Sequence, residues 1–456
     1  MTEHRLLQRP APETDRLSDD DIVRHAGALV DRSVASRMGN ANRPFFQASG
    51  GIDSAIMLES ACRQFPDQPI HAFVGVPRLT DPTVADWRSY VSEESRVREL
   101  AGHLPNLRPV FFPERTMFDL PPPDRLFRGF GQPYRNISLL GAFSGLFDHA
   151  AQHGFDVRVH GGLGNGTISY DGRDRLPALL RQGRLITLAR EVAAFRPFIR
   201  CSFARAGYRM AVKPTLPRAL ANAIAKLYGG PSPHWSDHHC LNPAVTQDQS
   251  FVTRIEAFIE ALSPPDQRSD GKHTMRMLLA FVSRLSHGAA MFADLFGVRS
   301  SSALGDADLI AFCRALPADQ FFRNGQDRWL ARRLLHHRGL HRVAEERMFG
   351  RQAVDLRRSL AQNHATVMAT LETLRANSLA RDLLDLPAME RRANMLAADG
   401  GVGDRVSDLE AFAGLARGLH TGQFLVWATA QRAQAAHTPP PATETAPTSG
   451  DGQAAV

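Results

Sequence analysis

Ser49-Gly50-Gly51-Ile52-Asp53-Ser54 decides how this chain is read. The hexapeptide follows an apolar run, Pro44 to Ala48, and leads straight into a helical pattern, Ala55 to Phe65. Its context is therefore a strand, a tight glycine turn and a helix N-terminus. Two glycines let the backbone approach an anion closely. The serine hydroxyls and turn N–H groups can donate to it, and the helix dipole adds partial positive charge. Such a loop suits phosphate or pyrophosphate. It is not a Walker loop, because no Gly-Lys-Ser/Thr follows, and not a Rossmann fingerprint, because the GxGxxG spacing is missing.

Strand and helix patterns alternate around this loop. Residues 21 to 37 read as an amphipathic helix, with Ile22, Ala26, Leu29, Val30 and Val34 at helical spacing. Ile70 to Val76 and Leu107 to Phe112 are short apolar strands with a helical pattern, Glu93 to Leu104, between them. Asn136 to His153 is a strong helix closed by Gly154, ahead of a strand at Asp156 to His160. This order calls for an α/β fold, a parallel sheet with flanking helices, in which ligands bind beyond the C-terminal strand ends where the hexapeptide lies. From about residue 245 the patterns turn helical, at Phe251 to Leu262, Met275 to Phe296, Asp306 to Leu316 and Arg328 to His336. They predict a mostly helical C-terminal lobe. Between Pro177 and Asp248 repeated prolines predict loops and short helices. The expected divisions are an N-terminal helical segment over 1–40, the α/β domain with its loop over 41–244, the helical lobe over 245–435, and a disordered Pro/Ala/Thr-rich tail over 436–456.

At 456 residues with 43% apolar content, the chain can bury a sizeable core. Its formal charge of +7 comes mainly from scattered arginines with few aromatic neighbours, without the basic stripe of a nucleic-acid binder. Cys62, Cys201, Cys240 and Cys313 are widely spaced and match no zinc spacing, which suggests reduced thiols in a cytoplasmic protein. No window approaches the roughly 18 uninterrupted apolar residues of a membrane span. The expectation is a soluble, cytoplasmic protein with no nucleic-acid or membrane partner.

A second glycine-rich turn ends the strand at His160: Gly161-Gly162-Leu163-Gly164-Asn165-Gly166, followed by Thr167-Ile168-Ser169-Tyr170-Asp171-Gly172. Two such turns on one sheet edge can enclose one nucleotide. SGGIDS resembles the SGGxDS signature of the pyrophosphate-loop ATP pyrophosphatases, and the ordered pair of turns is similar to the synthetase domain of the asparagine synthetase family. The resemblance runs from residue 20 to about residue 360. It implies an adenine nucleotide alpha hydrolase-like fold, cleavage of ATP between its α and β phosphates, and Mg2+ held through Asp53. It also implies an ATP and pyrophosphate site formed by Ser49, Gly50, Gly51, Asp53, Ser54, Gly161, Gly162, Gly164 and Asn165. Adenine would be read by the backbone from Phe73 to Gly75.

The chain departs from that family in two places. The acidic residue that supports amide formation falls on Gly162 and the magnesium-binding aspartate on Asn165, which leaves Asp53 as the motif carboxylate for the metal. Asp171 and Asp174 either supply another carboxylate or lie solvated in a loop. Phe349 stands where many members place a basic residue, so Arg347 or Arg351 is the candidate to stabilise charge during amide formation. Glu94 and Ser95 are similar to the family's Asp-Glu-Ser element and read equally as a helix cap. Arg328 and Arg332, four apart on one helix face, either bind phosphate or a carboxylate through their planar forks or form structural ion pairs.

The activity implied is AMP-forming, ATP-dependent carbon–nitrogen ligation. A carboxylate is adenylated with release of pyrophosphate and then amidated by ammonia or a substrate amine, with Asp53, Arg328 and Arg347 in catalytic roles. Asparagine biosynthesis is the family default. The family's amidotransferase half begins with a catalytic cysteine after the initiator methionine, where this chain has Thr2, so a separate glutaminase or a peptide-processing partner is expected. The alternatives are a macrolactam- or β-lactam-type cyclase acting on a peptide or small-molecule carboxylate, and a non-catalytic nucleotide-binding paralogue.

Overall fold

A five-stranded parallel sheet runs through the protein. The computed structural model describes residues 14, 16–79, 89–217, 220, 223–224, 238–261 and 270–437. Helix α1 (Asp19–Gly39) opens on a capping box between Ser18 and Asp21 and buries Ile22, Ala26, Leu29, Val30 and Val34. There follow β1 (Pro44–Gln47), α2 (Ile52–Gln64), β2 (Ile70–Val76), a short β3 (Ser89–Tyr90), α3 (Glu94–His103), β4 (Leu107–Pro113), α4 (Pro123–Phe130), α5 (Ile137–Gln152) and β5 (Val157–His160). The fifth strand of the sheet, β6 (Arg299–Ser302), comes much later in the chain.

The sheet order is β4-β2-β1-β5-β6, with all neighbours parallel. The chain steps from β1 outward through β2 to β4, then returns to β5 on the other side of β1. Strand order therefore reverses between β1 and β5. Both glycine turns leave the sheet at this reversal, where the diverging connections open a crevice beyond the strand ends.

Period-two burial splits β1 between the faces. Phe46 joins Ala72, Val74, Val157 and Val159 in a core with α1 and α2, while Phe45 joins Phe73, Phe112 and Phe155 in a second core with α4 and α5. Helices α6 (Arg175–Arg181) and α7 (Leu185–Ile199) open the stretch expected to hold loops and short helices; short helices such as Phe203–Gly207 and Pro243–Gln247 follow, and residues 218–219, 221–222 and 225–237 lie outside the described residues. α7 runs for 15 residues because its one interior proline, Pro197, falls in the last turn. Leu176, Val192 and Phe195 pack there against Phe322 in a small third core.

The long α8 (His273–Phe296) carries Phe292 onto Phe147 of α5, ring centroids 4.7 Å apart, and against Phe130 of α4 at 5.7 Å. β6 then departs from the mostly helical expectation for this region. Arg299-Ser300-Ser301-Ser302 is too polar to announce a strand, and its pairing with Val157 to His160 makes it one. Beyond it come α9 (Ala307–Ala315), a hairpin of β7 (Phe322–Arg323) and β8 (Gln326–Asp327), α10 (Trp329–His337) and β9 (Phe349–Gly350), which pairs with β3. Helices α11 (Leu356–Gln362), α12 (His364–Ala376), α13 (Leu386–Ala398) and α14 (Arg417–His437) add Leu360, Leu371, Leu374, Met389, Leu396 and Leu419 to the second core. Sheet and lobe thus share an apolar interior. The tail from residue 438 and the expected helix end at Leu262 lie outside the described residues. Among the described residues no helix is long and apolar enough to cross a membrane.

Candidate active site

Ala48 N–H donates to the Phe73 carbonyl at 2.9 Å, after which the backbone leaves β1 and turns. Ser54 stitches the turn from inside. Its hydroxyl accepts from the Ser49 N–H at 3.2 Å and donates to the Ser49 carbonyl, with the Gly51 carbonyl 3.1 Å away. Buried and occupied in this way, Ser54 shapes the turn and does not line the cavity in front of it. Gly51 is the N-cap of α2 in an extended conformation, and no side chain caps the helix. The open N–H groups of that first turn, with the helix dipole behind them, form an anion seat.

The second turn closes on Asp53. A Cβ on Gly164 would stand 2.5 Å from Asp53 Cγ, and one on Gly161 would stand 3.0 Å from Asp53 Cβ, so only glycine lets the two turns meet. Asp53 Oδ1 is buried without a hydrogen-bond partner, as is the Ser169 hydroxyl. Burial pushes the Asp53 carboxyl up from its ordinary range. The Ser169 hydroxyl, near enough to favour the charged form without closing a hydrogen bond, and the Arg328 guanidinium oppose that shift. Asn165 is exposed and lines the same cavity, whereas Gly162 does not line it. The Gly162 N–H donates to His160 Nδ1 at 3.0 Å and its carbonyl accepts from the Ser302 hydroxyl.

The cavity in front of Asp53 has a volume of about 560 Å³, the size of a small-molecule site. Ser49, Gly51, Ile52, Asp53 and Asn165 line it together with Arg328 and Arg347. Arg328 is placed by the β7–β8 hairpin, whose turn residues Asn324 and Gly325 are both left-handed at φ 53° and 66°. Arg328 is itself left-handed at φ 56°, immediately before α10, and its guanidinium makes no hydrogen bond or ion pair among the described residues. Arg347 lies over the Phe198 ring, 3.7 Å from its centroid, and burial pulls its guanidinium below the ordinary range.

Arg332 has a different role. It is 4% exposed and donates to the Asp327 carbonyl at 2.8 Å, the Ala344 carbonyl at 2.5 Å, the Glu346 carbonyl at 2.9 Å and Asp327 Oδ1 at 3.2 Å. Both arginines four apart line the cavity, but Arg332 spends its donors on the wall while the Arg328 guanidinium makes no hydrogen bond or ion pair among the described residues. Arg351 is ion-paired to Asp408 beside a separate cavity.

Other expected residues are drawn off. Gly50 lines a neighbouring cavity of about 240 Å³ with Arg96 and Glu346. The Phe73 ring is buried against Phe45, 4.5 Å between centroids, so only its backbone remains near the strand end. Asp174 accepts from the Tyr170 hydroxyl at 2.7 Å and the Thr274 hydroxyl at 3.1 Å, and Asp171 accepts from Arg173 N–H at 3.1 Å. Neither lines the cavity. Glu94 pairs with Arg98 on an exposed face. The residue before it, Glu93, does line the cavity, as do Tyr90, Arg173, Asp327, Glu346 and Phe198. Sequence reading passed over these. The Asn324-Gly325 dipeptide, a strong hairpin signal, marks the turn that presents Asp327 and Arg328. No protein-family model and no curated protein matches the chain.

Proposed function

We propose that the chain is an ATP-dependent, AMP-forming carbon–nitrogen ligase of the asparagine synthetase type. It activates a carboxylate as an acyl-adenylate, releases pyrophosphate and passes the acyl group to ammonia or a substrate amine. The reading is carried by the clasp of Asp53 between two glycine turns at the point where strand order reverses, beside an uncapped helix N-terminus. Ser49, Gly51 and the first turn of α2 bind the departing pyrophosphate, and Arg328 and Arg347 supply fixed positive charge to the phosphates as the α-phosphate is attacked.

Among the described residues no three His, Cys, Asp or Glu side chains gather to hold a metal by themselves. Magnesium keeps several waters and takes one or two carboxylates plus substrate phosphates, and the orphaned Oδ1 of Asp53 fits that need. When bound, Mg2+ neutralises charge on the phosphate oxygens. We assign the protein to the cytoplasm, with a separate glutaminase or peptide-processing protein as partner. A peptide cyclase is the second reading, favoured by an apolar stretch of the cavity wall: Phe198 and Ile199 stand with Met348 and Phe349, the last two 36% and 51% exposed.

ATP–pyrophosphate exchange with pooled carboxylates tests the proposal. Exchange in the wild type that is abolished by Asp53→Asn with the fold intact is the expected result. Nucleotide binding without exchange or AMP formation overturns it in favour of a non-catalytic binding protein.

A further inference from the structure

Glu93 occupies an unusual position for a carboxylate. It is the N-cap residue of α3, yet its side chain makes no capping hydrogen bond; the nearby backbone donor, Glu94 N–H, is taken by the Ser92 hydroxyl at 3.3 Å. Instead Glu93 lines the cavity that holds Ser49 and Asp53. It is held over β9, since a Cβ on Gly350 would stand 2.5 Å from Glu93 Oε1. Of the two arginines on its own helix, Arg98 pairs with Glu94, while Arg96 faces Glu93 but makes its ion pair with Glu346 and lies over the Tyr90 ring at 4.0 Å. The carboxylate therefore has no hydrogen-bond partner among the described residues. It shares one space with the pyrophosphate loop, on a chain that has Gly162 where the resembled family carries its acidic residue.

We infer that Glu93 accepts the proton released when the amine attacks the activated carbonyl, an inference that rests on the ligase reading above. The nitrogen lone pair forms the C–N bond, and the acyl C–O bond to AMP breaks with its electron pair leaving on the phosphate. The surplus N–H proton passes to a Glu93 oxygen. Substrate amines are mostly protonated at neutral pH, so a base in the cavity is needed to deliver them in reactive form. The groups facing Glu93 suit it to that task. Tyr90 comes from β3 and Arg96 from its own helix, while Glu114 follows β4 and is itself faced by Asp355. Burial, and then the charge of Glu114, raise the Glu93 carboxyl to about 7 against the pull of Arg96, close to the working range of a general base.

The test compares wild type with Glu93→Gln in two assays run with the same carboxylate pool. The first is ATP–pyrophosphate exchange; the second is amide formation with ammonium as the nitrogen probe. The expected result is exchange close to wild type with amide formation reduced ~100-fold or more. Hydroxylamine, uncharged at neutral pH, should restore turnover in Glu93→Gln, and Glu93→Asp should keep the acidic limb of the amide-forming pH profile that Glu93→Gln loses. Wild-type amide formation in Glu93→Gln, or parallel loss of exchange and amide formation, overturns the role while leaving the ligase reading standing. Absence of exchange in the wild type removes both.

Discussion

Glu114 stands just past the end of β4, half-buried, where its charge acts on Glu93 and the charge of Asp355 acts on it. Burial first, and the Asp355 charge second, raise its carboxyl from 4.5 to about 7. A carboxyl whose folded-state pKa is raised binds its proton more tightly in the native protein than in the unfolded chain. The resulting penalty is absent below about pH 4.5 and grows as pH rises to about 7. Replacing Glu114 by Gln keeps the shape and removes the charge. Glu114→Gln is therefore expected to be more stable than wild type at pH 8, by on the order of 3 kcal/mol, with the difference vanishing near pH 4.5. Urea unfolding at the two pH values checks this, and an equal difference at both would show that folding does not raise the carboxyl's pKa. Sequence spacing exposed Asp53 because it sits in a turn with a recognisable shape. Glu93 and Glu114 look like ordinary surface acids in the sequence, and only their neighbours across the fold make them otherwise.

At the scale of elements, the hairpin and α10 form a wall whose strength lies in one side chain. Arg332 bridges Asp327 at the end of β8 to the Ala344 and Glu346 carbonyls, on the far side of α10. Its removal leaves Asp327 paired with Arg173 alone, at 2.6 Å, and takes the charged donor from the Asp327, Ala344 and Glu346 carbonyls. Arg332→Ala should destabilise the protein by about 3–5 kcal/mol, measured by chemical denaturation. Arg328→Ala, by contrast, should leave stability within about 0.5 kcal/mol, because among the described residues its guanidinium makes no hydrogen bond or ion pair. Equal effects of the two substitutions would contradict this division of labour. The four-residue spacing of the pair was plain in the sequence; that Arg328 precedes α10 in a left-handed conformation, off the helix face that carries Arg332, was not.

Across the whole molecule, the sheet and the C-terminal helices are joined by apolar packing. Phe292 of α8 is 2% exposed and stacks on Phe147 behind the sheet, and the core around them continues to Leu371, Met389 and Leu419. Phe292→Ala should cost about 3–5 kcal/mol through lost burial and a residual cavity. The loss should appear as one shifted transition by both circular dichroism and tryptophan fluorescence, since sheet and lobe share that core. Two separated transitions would mean that they are held independently.

From sequence alone came the alternation of strand and helix and the two glycine turns, because periodicity and turn chemistry act over a few residues. Tertiary structure alone decided the rest. It added a polar fifth strand from residues 299–302 to the sheet, set Gly161 and Gly164 against Asp53, buried Ser54 in its own turn, and brought Glu93 into the cavity. These depend on pairing and burial between segments far apart in the chain, where local preference is weak and the free energy comes from the contacts themselves.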